Sequence, residues 1–176
     1  MGEEQKSIKS LQGEGQKFPP PQASIDRAHI KSFDEYQAMY DKSINDPDGF
    51  WLEQAKQNLT WIKEPTEGRK FTWDTKAKDI KHTWFADGEL NVTVNCLDRH
   101  LGTPIENKTA ILWQGEDDSK VVNYTYKELH GLVCKFANVL KSKGIAKGDR
   151  VCIYMPMAPE AAVVVLACAR MGAILS

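Results

Sequence analysis

The stretch from Tyr124 to Ser176 restricts what this 176-residue chain can fold into more than any other part of it. Thr125-x-x-Glu128 has the spacing of a capping box, in which each side chain satisfies a backbone amide near the other. Leu129, Leu132, Val133, Phe136 and Leu140 then recur at intervals of three and four, the apolar face of a helix, and Gly144 supplies its stop. Burying such a stripe gains about 1.5–3 kcal/mol per large apolar side chain. Ordering the backbone costs about 1–2 kcal/mol per residue, so the helix needs a sheet to lie on. Lys147-Gly148-Asp149 predicts a tight turn, and Arg150 to Met155 (RVCIYM) a near-continuous apolar strand of the kind covered on both faces. Pro156 halts that strand. Pro159 suits a first helical turn, Glu160 favours the positive helix start, and Ala161 to Met171 is apolar all round, which predicts a helix buried on most sides. Gly172 ends it, and Ala173-Ile174-Leu175 opens another strand. Strand, helix and strand make a βαβ crossover with parallel strands, so the expected class is α/β. Because the next strand has only begun at Ser176, the chain reads as the incomplete front part of a larger α/β body.

Upstream, Ala110-Ile111-Leu112-Trp113 and Val121-Val122-Asn123-Tyr124 flank the acidic turn Gly115 to Ser119 and predict a β-hairpin. That acidic loop lacks the alternating ligands and following Glu of a calcium loop, and reads as a solvated turn. Ser32-Phe33-Asp34-Glu35 has capping-box spacing, with Phe33, Tyr36, Met39, Tyr40 and Ile44 following at helical intervals. Asp46-Pro47 restarts the pattern with Phe50, Trp51, Leu52 and Ala55, giving an expected helical hairpin whose aromatic stripe packs into a core. Between Lys70 and Leu90 short strands and loops are expected, with Asp87-Gly88 as a hairpin-turn signal, and a helix is expected from Val92 to Leu101. The organisation predicted is a flexible, polar leader over residues 1–28 with its run of three prolines, a helical and irregular extension over 29–108, and the start of an α/β domain over 109–176.

Charge excludes some partners. Twenty-three Lys and Arg oppose 24 Asp and Glu, so no strong field draws the chain to nucleic acid or an anionic membrane. The N-terminal MGEEQKS has no apolar core of a secretory signal, and Lys6 stands where a myristoylation signal wants Ser or Thr. The longest apolar run, Ala161 to Ala169, is too short to span a bilayer. A cytoplasmic location is the expectation, and the N-x-[ST] triplets at Asn58, Asn91, Asn107 and Asn123 are then chance matches. Cys96, Cys134, Cys152 and Cys168 form no C-x-x-C pair and lie within apolar patterns, which predicts buried free thiols.

Reacting constellations are absent from the sequence. It contains no G-x-x-x-x-G-K-[ST] loop, no H-E-x-x-H and no G-x-S-x-G. Gly13-x-Gly15 has Phe18 at the third glycine position and no preceding strand, so it is no dinucleotide fingerprint. His29, His82, His100 and His130 are far apart, with no Cys or acidic partner at ligand spacing, and His100 and His130 read as edge-of-core or surface residues. The one suggestive place is the Pro156–Glu160 turn, at the carboxyl end of a parallel strand, where α/β proteins seat ligands. A strand–helix connection is needed there for structure in any case.

The run YTYKELHGLVCKFANVLKSKGIAKGDRVCIYMPMAPEAAVVVLACARMGAI resembles the early large-domain segment of AMP-forming acyl-CoA synthetases, members of the adenylate-forming superfamily. SFDEYQAMYDKSINDPDGFWLEQA, the Trp84–Leu90 turn and NVTVNCLDRHL are similar to the acetyl-CoA synthetase family, the acetate and propionate branch. The resemblance implies that residues 29–108 are the N-terminal extension typical of that family. It implies a ligase that joins a short carboxylate to ATP, with Mg2+, giving acyl-adenylate and pyrophosphate, after which CoA displaces AMP. Propionate or another short acid is the alternative substrate, and a non-catalytic interaction module derived from the family is the alternative of a different class. The implied partners are small molecules and the rest of the same protein, not nucleic acid or membrane. The family's phosphate loop, adenine-reading segment and CoA-binding arginines have no counterpart here. The expectation is therefore that no residue of this chain is catalytic, cofactor-binding or metal-binding, and that ATP, CoA and Mg2+ do not bind fully to it.

Overall fold

A computed structural model describes residues 18–176, so Gly2, Lys6, Gly13 and Gly15 lie outside the described residues. The chain divides into two compact units, Met1–Asp46 and Pro47–Ser176.

The first unit carries α1 (Gln22–Arg27), a short helix within the stretch expected to be leader, and α2 (Phe33–Asn45). Ser32 caps α2 as its spacing predicts, its Oγ accepting from the Glu35 amide at 3.1 Å. Glu35 reaches back one residue further than a capping box requires: its Oε2 accepts from the Lys31 amide at 2.8 Å. The expected core packing of the aromatic stripe does not occur on α2. No residue of that helix is buried, and Phe33 is 72% exposed. The rings instead neighbour one another along the helix, Phe33 to Tyr36 at 6.0 Å and Tyr36 to Tyr40 at 6.3 Å.

In the second unit, α3 (Pro47–Asn58) buries Phe50 and Ala55. The two helices predicted around Asp46-Pro47 thus form, but they belong to different units. Strands β1 (Arg69–Asp74) and β2 (Asp79–Trp84) pair antiparallel, Arg69 opposite Trp84 and Asp74 opposite Asp79. Their turn is at residues 75–78 and not at Asp87-Gly88, a correction with a local cause. Asp74 Oδ1 accepts from the amides of Lys76 and Ala77, both at 2.9 Å, and so folds its own turn. The Asp87 carboxylate is taken by Thr66, from both its amide (2.9 Å) and its hydroxyl (2.6 Å).

The helix expected from Val92 to Leu101 is broken into α4 (Val92–Cys96) and a 3₁₀ turn at Asp98–His100. Asn91 caps α4 by accepting from the amides of Thr93 and Val94. At Leu97 the backbone leaves helical geometry (φ −125°, ψ −61°), and this leucine is 1% exposed in the core. Strands β3 (Thr109–Gln114) and β4 (Val121–Thr125) form the predicted hairpin, with Trp113 opposite Val122. Helix α5 (Tyr126–Ser142) follows at once, its capping box complete. The Glu128 amide donates to Thr125 Oγ1 at 3.2 Å, and the Thr125 amide to Glu128 Oε2 at 2.9 Å. At its far end, Gly144 (φ +86°) takes the left-handed conformation that glycine adopts without strain. The Gly144 amide then donates to Lys141 O and the Ile145 amide to Leu140 O, the Schellman pattern.

Strands β5 (Arg150–Val151) and β6 (Ile174–Leu175) flank α6 (Pro159–Met171) and pair parallel, Arg150 with Ile174 and Val151 with Leu175. The fold is α/β: a helical N-terminal part, two antiparallel hairpins and a parallel βαβ pair. Two expectations need correction here. The strand expected over Arg150–Met155 pairs as a strand only over Arg150–Val151, and it is not covered on both faces, since Cys152, Tyr154 and Met155 are exposed. Helix α6 buries Val163, Val164, Ala167 and Cys168 but leaves Val165 41% exposed, so it is open on one side. The main core gathers Leu97, Leu129, Val133, Ala137, Val163 and Ala167. Of the four cysteines, all free, only Cys168 is buried; Cys96 and Cys152 are exposed and Cys134 is intermediate.

Candidate functional site

Beyond Val151 the chain runs without regular secondary structure to the Pro156–Glu160 turn. Along it the Ile153 amide donates to Ser176 O at 2.8 Å, and the Ser176 amide donates to Val151 O at 3.0 Å. The turn is held by the Trp113 indole, whose Nε1 donates to Met157 O at 2.8 Å, and by the Ala158 amide donating to Pro156 O. Pro159 opens α6 as its fixed φ predicts, and Glu160 stands in the first turn. Tyr154 and Met157 project outward, 100% and 91% exposed.

Beside this turn lies an open groove of about 530 Å³ between α5 and α6. Its walls are Leu132, Phe136 and Val139 of α5 with Val163 and Val164 of α6, and Met155 and Tyr124 close it. The charged residues at its surface are Lys135 and Glu160. Such walls suit an apolar side chain or an apolar ligand group. They offer no nucleophile paired with a base.

A second cluster was not foreseen. Asp98, at the start of the 3₁₀ turn, accepts from the two terminal guanidinium nitrogens of Arg170, Nη1 to Oδ2 at 2.8 Å and Nη2 to Oδ1 at 3.0 Å. His130 of α5 meets the same Oδ1 through Nε2 at 2.8 Å. Cys134 Sγ lies 3.5 Å from that same nitrogen. Cys, His and Asp in contact suggest a relay, but a relay needs the acid and the thiol on opposite ring nitrogens. Here both meet Nε2, so the arrangement is a clamp. It joins α4's end to α5 and α6 across chain separations of 32 and 72 residues. The Arg170 guanidinium holds the Asp98 carboxyl below the usual carboxylate range, with His130 adding to the effect, and Asp98 raises Arg170 in return. Asn91 reinforces the joint by donating to Arg170 O at 3.0 Å, and the buried Thr93 hydroxyl donates to Leu166 O at 2.8 Å.

The expectation that His130 has no Cys or acidic partner is corrected on both counts: Cys134 stands one helical turn further along α5, and the fold supplies Asp98 from 32 residues away. Arg170 is the available signal: the one cation of α6, set in the apolar run Ala161–Met171, has to find a carboxylate or reach solvent. The other histidines lie elsewhere. His100 packs edge-on to Tyr126 at 4.9 Å, and His82 sits between Phe71 and Trp84 on the β1–β2 face. Among the described residues no group of three His, Cys, Asp or Glu side chains is arranged to hold a metal ion, and none of their helices is long and apolar enough to cross a membrane.

Comparison with known proteins gives this geometry its setting. Residues 98–176 match the family model of AMP-binding enzymes, which defines the class. Residues 36–96 match the acetyl-coenzyme A synthetase N-terminus, and the chain belongs to the acetyl-CoA synthetase family of AMP-binding enzymes. The acetyl-coenzyme A synthetase of Saccharophagus degradans is 53% identical over 157 residues, which is 89% of this chain and 23% of that protein. The Vibrio cholerae enzyme of the same name is 52% identical over 141 residues, 80% of this chain and 21% of that protein. A solved acyl-CoA synthetase of Brucella canis is 30% identical with a TM-score of 0.45, covering 49% of this chain and 15% of that one. The chain thus spans less than a quarter of the length of the first two relatives.

Proposed function

We propose that this chain is the N-terminal part of a cytoplasmic, AMP-forming acetate–CoA ligase, and that the residues present here scaffold the reaction without performing it. The observation that carries this reading is the order of the two family matches. An acetyl-coenzyme A synthetase N-terminus runs into an AMP-binding segment with one residue between them. The proposed reaction is acetate plus ATP giving acetyl-adenylate and pyrophosphate, followed by attack of the CoA thiol with release of AMP. A carboxylate is a poor acyl donor until AMP becomes its leaving group, so catalysis rests on positioning and on neutralising phosphate charge.

The donor set in the groove does not fit that second task. A triphosphate with Mg2+ needs several cations or amides and a carboxylate pair. The groove offers aliphatic and aromatic walls with one lysine and one glutamate. No step through ATP, CoA or Mg2+ is therefore assigned to these residues. In this reading, residues 109–176 begin the nucleotide-binding domain and 29–108 are the N-terminal extension that precedes it.

The test is acetate-dependent ATP–pyrophosphate exchange, measured on the 176-residue chain and on the protein from the full reading frame. Exchange by the longer protein and none by the chain is expected. Turnover by the chain alone overturns the scaffold assignment, and a longer protein that adenylates no short carboxylate overturns the ligase assignment.

A further inference from the structure

We draw no further inference here: the strongest candidate, the apolar groove between α5 and α6 beside the Pro156–Glu160 turn, is an unpartnered apolar face, and nothing in the structure shows what covers it.

Discussion

Asp98 draws together more separate segments of the second unit than a local cap does, because one carboxylate serves an arginine on α6 and a histidine on α5. An amide in place of the carboxylate keeps one acceptor oxygen and turns an NH2 toward the donors of Arg170 and His130, 29% and 23% exposed, so both cannot be satisfied. Asp98→Asn is expected to cost about 1–3 kcal/mol at pH 7, the scale for leaving a part-buried donor unsatisfied; a chemical-denaturation midpoint measures it. The pH dependence has a definite sign. The folded pKa of Asp98 lies below its unfolded value, so its contribution is present above about pH 4 and is lost as pH falls through the folded pKa. Glu106, Asp117 and Glu128 are lowered too, each first by a backbone amide, from Gly102, Ser119 and Thr125 respectively. Asp87 is held down to about 2 by the Thr66 hydroxyl and amide. The wild type should therefore lose stability steadily from pH 5 to pH 2. Asp98→Asn should flatten that slope in part, and an unchanged slope would mean the carboxylate is equally solvated in both states.

At the scale of elements, Thr125→Ala removes one half of the box that starts α5. The Glu128 amide then loses its acceptor, with an expected loss of about 0.5–2 kcal/mol. Thr125→Ser keeps the oxygen and should recover most of it in the same urea titration. Leu129→Ala, one turn further on at a residue 3% exposed, should cost more, about 2–5 kcal/mol, since it opens a cavity in the main core. These elements were legible because their signals are local. Caps, apolar periodicity and stop glycines act within four residues, and Ser32, Thr125, Pro159, Gly144 and Gly172 all do what their spacing predicts. The errors arise where distant chain decides. Helix α4 breaks because Leu97 enters a core built largely by α5 and α6; the β1–β2 turn is the exception, set locally by Asp74 bonding to its own loop. Similarly, the Pro156–Glu160 turn could be placed from its prolines, while the Asp98 cluster could not, since its members are separated by up to 72 residues.

Across the whole molecule, the change from one family match to the next, between residues 96 and 98, is not a structural boundary. Leu97 sits there in the core, Asp98 clamps beside it, and Pro47–Ser176 forms one compact unit. The structural division falls at Asp46 instead. Its two sides differ in what stabilises their helices. Helix α5 buries Leu129, Val133 and Ala137, whereas α2 buries no residue along its 13 positions. A helix of that length is marginal in water without tertiary packing, because nucleation is costly and each added hydrogen bond returns little. The Ser32 cap and the Glu35–Lys31 bond lengthen its lifetime without replacing a core. Amide hydrogen exchange on the intact chain should therefore separate the two. Amides of α2 should exchange through local fraying, orders of magnitude faster than those of α5, whose exchange should track global unfolding and accelerate with added urea. Leu129→Ala should accelerate exchange in α5 and leave α2 unchanged. Protection of α2 equal to that of α5, lost together in the Leu129 variant, would show that the first unit shares the stability of the second and that the division at Asp46 carries no energetic weight.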